Sequence, residues 1–404
     1  MSLALGSLSA RDRIVPPVLG LLTDGHFCPA TPPLDAHIYN RKEEPHINTA
    51  FLLYIHMSDS DSTLPQPCSY ITGNWTIPQQ YDQTSIATMK IAITGAGGFV
   101  GQLLAEHLLL ADHKVLLIDI FEPSVPTKAS SKSSNAQCIK ADLSTDSSSI
   151  IPSDLDAIYI FHGIMSAGSE ADFDLGYRVN LHSTLNLLET LRQQCKGVRV
   201  VYASSTAIYG QPLPQWPSEA TLPTPASSYG TQKSMIEYAI NDFSRRGFIN
   251  GFTLRFPTIS VRPGKPTQAA SSWMSGMFRE PLQGLPSSLP CADDFEAWLC
   301  SPRILVSNLL HVLTIERDAL PAHMRQVNLP GITASVREML EALEEVGGKE
   351  AVGLVKREEP TKEIKDMLDS WPIRFDVSKA MGLGFKKDER FVDAVRDFKM
   401  SLEE

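Results

Sequence analysis

Short apolar segments alternate with longer segments of helical periodicity from residue 89 to about residue 256. The apolar segments lie at 91–93, 114–118, 136–139, 157–161, 198–202 and 252–256. Their length and mostly apolar character are typical of strands buried on both faces, and the segments between them have apolar residues at helical spacing. This alternation predicts an α/β fold with a six-stranded, doubly wound parallel sheet that helices cover on both faces.

The pattern is different before this region. Residues 1–88 carry 9 of the 28 prolines and show no sustained periodicity. Their most apolar piece, residues 50–55, is far shorter than the ~20 residues that span a bilayer, and no secretory signal is expected at the first residues. We therefore predict that residues 1–88 form a low-order N-terminal extension and that the folded chain begins at Met89.

The alternation also decays after the sixth strand. Residues 262–300 are rich in glycine and proline, which predicts loops. Helices are expected at 304–316, at 335–346 and through most of the charged tail from residue 362. The sheet domain is thus predicted at 89–261, and residues 262–404 are predicted to form a smaller lobe, partly interleaved with the core, over the carboxyl ends of the strands.

A glycine-rich turn joins the first strand to the first helix. Gly95, Gly98 and Gly101 are spaced three apart between the apolar run 91–93 and the helical run 102–110. Gly95 permits a tight turn, Gly98 permits close approach of a phosphate, and Gly101 permits close packing of helix against strand. A strand, a glycine-rich turn and a helix N-terminus in this order predict a Rossmann-type site for the pyrophosphate of a dinucleotide.

An acidic residue, Asp119, ends the second strand about 20 residues after the glycines. A carboxylate at this place can accept hydrogen bonds from both hydroxyls of a ribose and repels a 2′-phosphate. Ile120 and Phe121 follow it and offer no cation to neutralise such a phosphate. The sequence therefore predicts NAD, rather than NADP, as the cofactor.

Three residues suggest proton-transfer chemistry: Ser205 at the end of the fifth strand, and Tyr229 and Lys233 on a predicted helix. Tyr229 and Lys233 are four residues apart and so share one face of that helix. A lysine ammonium beside a tyrosine is expected to lower the pKa of the phenol toward the range useful for a general base. Tyr-x-x-x-Lys also occurs by chance on helices, so the preceding glycine turn and Ser205 are what favour catalysis.

Composition limits the other classes of function. The 404 residues carry a formal net charge of −10, which provides no basic surface for nucleic acid or an anionic membrane. The six cysteines show no Cys-x-x-Cys spacing, which favours reduced thiols in the cytoplasm over disulfides, and no metal site is expected.

The chain from Met89 onward resembles an extended short-chain dehydrogenase/reductase of the NAD-dependent epimerase/dehydratase family. The matching motifs are the glycine turn, Asp119, Asp142-Leu143, Asn180, Ala203-Ser204-Ser205-x-x-x-Tyr209-Gly210 and Tyr229-Gly230-Thr231-Gln232-Lys233. The resemblance implies Ser205, Tyr229 and Lys233 as catalytic residues, and pairing of two copies through the helices of Asn180 and Tyr229. It implies a cofactor site made by Gly95, Gly98, Phe99, Val100, Gly101, Asp119, Asp142, Leu143, His162, Gly163, Asn180, Tyr229, Lys233 and Pro257.

Other segments resemble the members of this family that oxidise the C2 hydroxyl of small sugar acids such as D-erythronate. These segments are 170–180, 255–258, 262–266 and 301–303. For an acid of this kind, Ser205 and Tyr229 would contact the reacting hydroxyl, and Arg262 or Arg303 would bind the carboxylate, because a planar guanidinium matches a carboxylate well.

Two alternatives remain open: a nucleotide-sugar epimerase, and a non-catalytic nucleotide-binding protein. Dehydratases of the family carry Asp-Glu after the catalytic Ser or Thr, whereas Thr206-Ala207 stand here. Thr258 occupies the position at which epimerases usually have asparagine after the sixth strand. Both departures favour the sugar-acid dehydrogenase.

Overall fold

The computed structural model describes residues 87–145, 147–265 and 270–403. Apart from residues 87 and 88, the predicted N-terminal extension lies outside these ranges. The strands are β1 (Lys90–Thr94), β2 (Lys114–Asp119), β3 (Ala136–Lys140), β4 (Ala157–Ile160), β5 (Arg199–Ser205), β6 (Asn250–Phe256), β7 (Thr258–Ile259), β8 (Ser287–Leu289), β9 (Glu296–Cys300), β10 (Gln326–Asn328), β11 (Ile332–Ser335) and β12 (Val355–Arg357).

The α-helices are α1 (Phe99–Leu110), α2 (Ser166–Ala171), α3 (Phe173–Gly176), α4 (Ser183–Gln194), α5 (Ser228–Arg245), α6 (Trp273–Arg279), α7 (Pro302–His311), α8 (Val336–Gly353), α9 (Lys362–Asp369), α10 (Ser378–Gly382) and α11 (Phe391–Leu402). A π-helical turn, Tyr177–His182, runs directly into α4. None of the described helices is both long enough and apolar enough to cross a membrane.

The central sheet has seven parallel strands in the order β10-β6-β5-β4-β1-β2-β3. The order reverses direction between β1 and β4, which is the place where doubly wound sheets bind their ligands. Ser205 at the end of β5 pairs with Phe256 at the end of β6, so the chain leaves both strands at the same edge. The predicted α/β class and doubly wound parallel sheet are confirmed.

The core has one layer on each face of this sheet. Ile91 and Ile93 of β1 point into the layer formed with α1 and α7, and Ala92 points into the layer formed with α4 and α5. Side chains alternate between faces along a strand, so β1 needs apolar residues at consecutive positions to bury both faces. This explains why the strands read as apolar runs rather than as alternating patterns.

The C-terminal half differs from the prediction in several places. The strand β10 was missed and makes the sheet seven-stranded, with residues 326–328 added beside β6. Residues 262–300, predicted as loops, contain α6 and the strands β8 and β9. The helix predicted at 304–316 ends at His311, and the helix predicted at 335–346 continues to Gly353 with a kink at Gly348 (φ 75°).

Two small sheets accompany the central one. The strands β11, β9 and β7 form the first, and β7 follows β6 after a single residue. The strands β8 and β12 pair in the second. The polypeptide that leaves the carboxyl end of β6 is therefore held by a separate sheet, which positions the segment that contains Arg262.

Candidate active site

The glycine turn after β1 leaves no room for side chains. Gly95 has a φ of 71°, and a Cβ there would lie 2.6 Å from the main-chain nitrogen of His162. A Cβ on Gly101 would lie 2.5 Å from the carbonyl oxygen of Gly95. Both distances are shorter than real contacts, so the close approach of β1, β4 and α1 requires glycine at these two positions.

The N-terminus of α1 has neither a side-chain cap nor an acidic residue that would repel an anion. Gly98 is the N-cap and provides no side-chain cap, and the first turn contains no acidic residue. The first N–H groups of a helix, here those of Phe99, Val100 and Gly101, have no carbonyl partner within the helix. These donors and the positive end of the helix dipole fit the pyrophosphate of a dinucleotide.

Asp119 lies against the same turn. Its Oδ2 accepts a hydrogen bond from the main-chain N–H of Gly97 at 2.8 Å, and its Oδ1 accepts one from the N–H of Ile120 at 2.7 Å. The carboxylate is thus fixed beside the glycine turn, as a ribose-binding group must be. Its contact with the cofactor remains a prediction.

Asp142 and Leu143 follow β3. Asp142 Oδ1 accepts hydrogen bonds from the N–H (2.9 Å) and the hydroxyl (2.6 Å) of Ser144, and these bonds hold the pKa of the carboxyl below its usual value. Leu143 is buried in the core layer formed with α4 and α5, and Pro257 is buried between β6 and β7. The contacts of these three residues with NAD remain a prediction.

His162 connects three elements at the carboxyl edge of the sheet. Its Nδ1 lies 2.8 Å from the hydroxyl of Thr94 at the end of β1, and its Nε2 lies 3.0 Å from the hydroxyl of Ser183 at the start of α4. Burial, with a further contribution from the charge of Lys233, lowers the pKa of His162 to about 4. The imidazole is therefore neutral near pH 7, and its hydrogen bonds link the ends of β1 and β4 to the start of α4.

Asn180 lies in the π-helical turn, a feature that is frequent at functional sites. Its Oδ1 accepts the N–H of Ile164 at 2.7 Å, and its Nδ2 donates to Gln232 Oε1 at 2.7 Å and to Ser169 Oγ at 3.1 Å. A Cβ on Gly163 would lie 2.9 Å from the same Oδ1. Asn180 therefore fastens the segment after β4 to α5, which carries the predicted catalytic residues.

Ser205 and Tyr229 meet at the end of β5. Ser227 caps α5 by accepting the N–H of Gly230 at 3.1 Å, which places Tyr229 in the first turn. A hydrogen bond from Ser205 lowers the pKa of Tyr229, but burial outweighs it and raises that pKa to about 12. The structure thus brings the two hydroxyls together, as the sequence predicts.

Lys233 lies near Tyr229, but its ammonium group donates a hydrogen bond to the main chain of β5. Its Nζ donates to the carbonyl of Ala203 at 2.7 Å and lies 5.4 Å from the centre of the Tyr229 ring. Burial lowers the pKa of Lys233 to about 8, and the charge of Glu237 partly offsets this effect. The expectation that Lys233 brings the pKa of Tyr229 below its usual value is wrong for this structure, because the loss of hydration around the phenol dominates.

A buried polar network that the sequence analysis missed lies behind these residues. Glu237 and Arg255, each 1% exposed, pair with a distance of 2.7 Å between Oε2 and Nη2. Glu237 Oε1 also accepts the hydroxyl of Ser204 at 2.5 Å. Arg255 donates to the hydroxyl of Tyr209, which in turn donates to Asn328 Oδ1 at 2.9 Å. The network joins α5 to the ends of β5, β6 and β10. It therefore holds Ser204 in place and with it the neighbouring Ser205.

Two sequence signals could have found this network. Glu237 comes four residues after Lys233, on the same face of α5. Arg255 is a charged residue within an otherwise apolar strand, and a buried charge requires a partner.

The two arginines proposed for substrate binding have different surroundings in the structure. The Nε atom of Arg262 is buried and has no hydrogen-bond partner among the residues that the structure describes. Burial and the nearby charge of Arg279 lower the pKa of Arg262 to about 10, which leaves it charged near pH 7. Arg303, by contrast, pairs with Asp397 of α11 at 2.8 Å between Nε and Oδ2, where both side chains are partly exposed.

Three comparisons place this geometry among known proteins. The sequence model described as "NAD dependent epimerase/dehydratase family" matches residues 91–295. D-erythronate dehydrogenase of Haemophilus influenzae is 39% identical over 317 residues, which cover 77% of this chain and 98% of that protein. D-erythronate dehydrogenase of Cupriavidus necator is 37% identical over 323 residues, with coverage of 77% and 98%.

Solved structures agree on the fold. A chain from Agrobacterium tumefaciens, named as a nucleoside-diphosphate-sugar epimerase, is 36% identical, with a TM-score of 0.71 over 76% of this chain and 92% of that one. The holo form of an L-threonine dehydrogenase from Cupriavidus necator reaches a TM-score of 0.67 at 20% identity, over 78% and 99%. The second similarity supports the fold alone.

Proposed function

The chain belongs to the NAD-dependent epimerase/dehydratase family, as an NAD-dependent dehydrogenase of the extended short-chain type, and from this premise we propose that it oxidises the C2 hydroxyl of a small sugar acid resembling D-erythronate. One observation carries the choice of substrate. The segment that leaves the carboxyl edge of the sheet, next to Ser205, presents a buried arginine, Arg262, for which the described residues provide no carboxylate.

The cofactor site consists of the glycine turn and Asp119. The turn is too close-packed for side chains at Gly95 and Gly101, and the free N–H groups of α1 lie beside it, which suits a pyrophosphate. Asp119 would hold the ribose hydroxyls next to that turn. When bound, NAD supplies the hydride acceptor.

Ser205, Tyr229 and Lys233 would orient the substrate, accept its proton and bind the cofactor. The phenolate form of Tyr229 accepts the proton of the C2 hydroxyl, and because the pKa of Tyr229 is about 12, only the small ionised fraction reacts at neutral pH. Ser205, already hydrogen-bonded to Tyr229, orients the C2 hydroxyl. Lys233 holds the nicotinamide ribose with the N–H groups that Ala203 leaves free, because an ammonium has three donors. A proton acceptor of this kind typically contributes ~10²–10⁴-fold to the rate.

The anion site rests on a charge imbalance. Arg279 pairs with Glu280 at 2.5 Å between Nη2 and Oε1, and its charge also acts on Arg262. Among the described residues, the guanidinium of Arg279 thus has a carboxylate partner, whereas the buried Nε of Arg262 has no hydrogen-bond partner. Buried charges require a partner, and a substrate carboxylate that binds Arg262 through two parallel hydrogen bonds provides one.

The experiment that tests this function follows reduced-cofactor absorbance with NAD and a panel of four-carbon sugar acids, against UDP-sugars. Net reduction of NAD by the acids supports the proposal. Inversion of a UDP-sugar with retained cofactor would establish the alternative that the Agrobacterium tumefaciens relative suggests by its name, a nucleotide-sugar epimerase. Binding of NAD with neither reaction would leave a nucleotide-binding protein without catalysis.

The matched variants Arg262→Met and Arg303→Met separate the two predicted carboxylate ligands. Loss of the ion pair that holds the substrate should raise the KM for the acid by roughly 100-fold in Arg262→Met, because hydrogen bonds to charged groups contribute about 1.5–3 kcal/mol. The Kd for NAD should stay nearly constant in that variant. Arg303→Met should leave the KM unchanged, since Asp397 already binds this guanidinium. An unchanged KM in Arg262→Met would remove the small-acid assignment.

We also propose that the protein forms a homodimer in the cytoplasm. Met235 and Tyr238, 40% and 55% exposed, lie three residues apart on the outer face of α5 and provide an apolar surface for a second copy. The described cysteines Cys138, Cys195, Cys291 and Cys300 are free thiols, which suits a reducing compartment. Sedimentation of the wild type against Tyr238→Glu tests the dimer, and a wild-type monomer contradicts it.

A further inference from the structure

The ammonium of Lys233 lies between two aromatic rings. Its Nζ is 4.6 Å from the centre of the Tyr202 ring and 5.4 Å from the centre of the Tyr229 ring, and it donates to the carbonyl of Ala203 at 2.7 Å. Tyr202 lies on β5, and its side chain packs beneath α5 in the core layer that includes Ile236. Among these contacts, the shorter ring distance belongs to Tyr202, a residue to which no role has been assigned so far.

We propose that Tyr202 is a positioning residue whose ring face binds the Lys233 ammonium, keeping it charged and aligned for the cofactor ribose. This inference rests on the proposed role of Lys233. A cation over an aromatic ring within about 6 Å of the centroid is attracted by the negative face of the ring, and the attraction grows when water is excluded. Lys233 is buried and meets that condition.

The ring face, rather than the hydroxyl, is the functional part of Tyr202. The hydroxyl is buried and has no hydrogen-bond partner among the described residues. A buried hydroxyl without a partner contributes nothing favourable to stability. Tyr202→Phe should therefore behave like the wild type, which makes it the matched control for loss of the ring.

Ordinary charge pairing does not replace this contact. Glu237 is the acidic group whose charge acts on Lys233, but it is already bound by Arg255 and Ser204. Its two oxygens are thus largely used by other donors, and Lys233 has no direct ion pair within the described ranges. The aromatic face therefore offers a desolvated ammonium the stabilisation that a dedicated carboxylate would otherwise give.

Three groups near Lys233, namely Tyr229, Tyr202 and His162, have pKa values far from neutral pH. Burial holds the pKa of Tyr229 at about 12 and that of Tyr202 well above 10, and it lowers that of His162 to about 4. Lys233 has a pKa of about 8, which is well separated from the pKa values of these three groups. The charge of Glu237 raises the pKa of Lys233 but does not outweigh the effect of burial. The pKa of Lys233 can therefore be measured as a report on its surroundings.

The test measures that pKa by ¹³C NMR of the lysine Cε in the protein without cofactor, with the resonance assigned by Lys233→Met. Tyr202→Leu should lower the pKa of Lys233 by about one pH unit, the size expected for loss of a desolvated cation–π contact, and Tyr202→Phe should leave it unchanged. An unmoved pKa in Tyr202→Leu overturns the proposal. Equal shifts in Leu and Phe variants also overturn it, because they would assign the effect to the hydroxyl.

A second series keeps the test decisive if Tyr202→Leu does not fold. Phenylalanines with increasing numbers of ring fluorines at position 202 weaken the negative ring face while nearly preserving its shape. The pKa of Lys233 should fall stepwise along the series, and a flat series contradicts the proposal. The affinity for NAD, measured by calorimetry, should weaken in the same order above about pH 8, where more than half of the Lys233 ammonium of the wild type has lost its proton.

These outcomes are distinct from those of the function test. If the pKa of Lys233 shifts as expected but no sugar acid is oxidised, the ring contact stands and the substrate assignment fails. If acids are oxidised but the pKa does not respond to position 202, the function stands and the role of Tyr202 is refuted.

Discussion

Breaking the buried pair of Glu237 and Arg255 should destabilise the protein strongly. The change Arg255→Met keeps much of the side-chain length and removes the charge. It leaves the Glu237 carboxylate, which is 1% exposed, with Ser204 as its remaining described hydrogen-bond donor. It also removes the donor that Arg255 provides to the hydroxyl of Tyr209.

The magnitude follows from the burial of both partners. Removing one partner of a buried ion pair typically costs about 3–5 kcal/mol, because an uncompensated charge remains in the interior. At about 1.4 kcal/mol per factor of ten, the unfolding equilibrium constant should rise by roughly 10²–10⁴. The double change Glu237→Gln with Arg255→Met should be less destabilising than Arg255→Met alone, because no charge is left without a partner.

Urea unfolding followed by circular dichroism measures these differences as shifts of the midpoint at constant slope. The exposed pair of Asp242 and Arg245, 60% and 56% exposed on the same helix, provides the control, and Arg245→Met should leave the midpoint unchanged. A midpoint for Arg255→Met equal to that of the wild type would refute the reasoning. So would a double variant that is less stable than Arg255→Met.

Four further predictions concern the site and the chain. Asp119→Asn, which keeps an acceptor for Gly97, should lower the preference for NAD over NADP in kcat/KM by roughly 10–100-fold, and an unchanged preference would count against Asp119 as the ribose ligand. At saturating NAD, the oxidation rate of the wild type should rise with pH, because a pKa of about 12 keeps Tyr229 protonated at neutral pH. Tyr229→Phe should lose turnover by ~10²–10⁴-fold with a nearly unchanged Kd for NAD, and wild-type turnover in this variant would eliminate the mechanism. A chain that begins at Met89 should fold and be as active as the full chain, because the described sheet, glycine turn and catalytic residues all follow that position, and an insoluble truncation would contradict this.

The elements that the sequence predicts well are those whose signal is local. The strand β1, the glycine turn and the start of α1 follow one another within a dozen residues, and each has a composition that few other structures use. Tyr229 and Lys233 were placed on one face because helical spacing alone decides it. Local chemistry was sufficient for the sheet class and for the meeting of Ser205 with Tyr229.

The features that were missed depend on distant partners. The strand β10 has three residues, Gln326–Asn328, and becomes a strand only by pairing with β6, more than 70 residues earlier. The predicted direction of the pKa shift of Tyr229 was wrong, because burial of the phenol raises its pKa and residue spacing does not reveal burial. From the sequence, Arg262 was the first candidate for the substrate carboxylate because it follows β6 closely, and Arg303 was the second. The ion pair of Arg303 with Asp397 of α11 is a contact between distant residues that the sequence does not reveal.

The most direct test of the central claim uses D-erythronate that carries deuterium at C2, together with unlabelled NAD. The account predicts that the protein reduces NAD and that the deuterium appears on C4 of the reduced nicotinamide, because the hydride comes from the carbon whose hydroxyl Tyr229 deprotonates. Reduced cofactor without deuterium would place the oxidation at another carbon. Absence of reduced cofactor with this acid and its four-carbon relatives would contradict the proposed function.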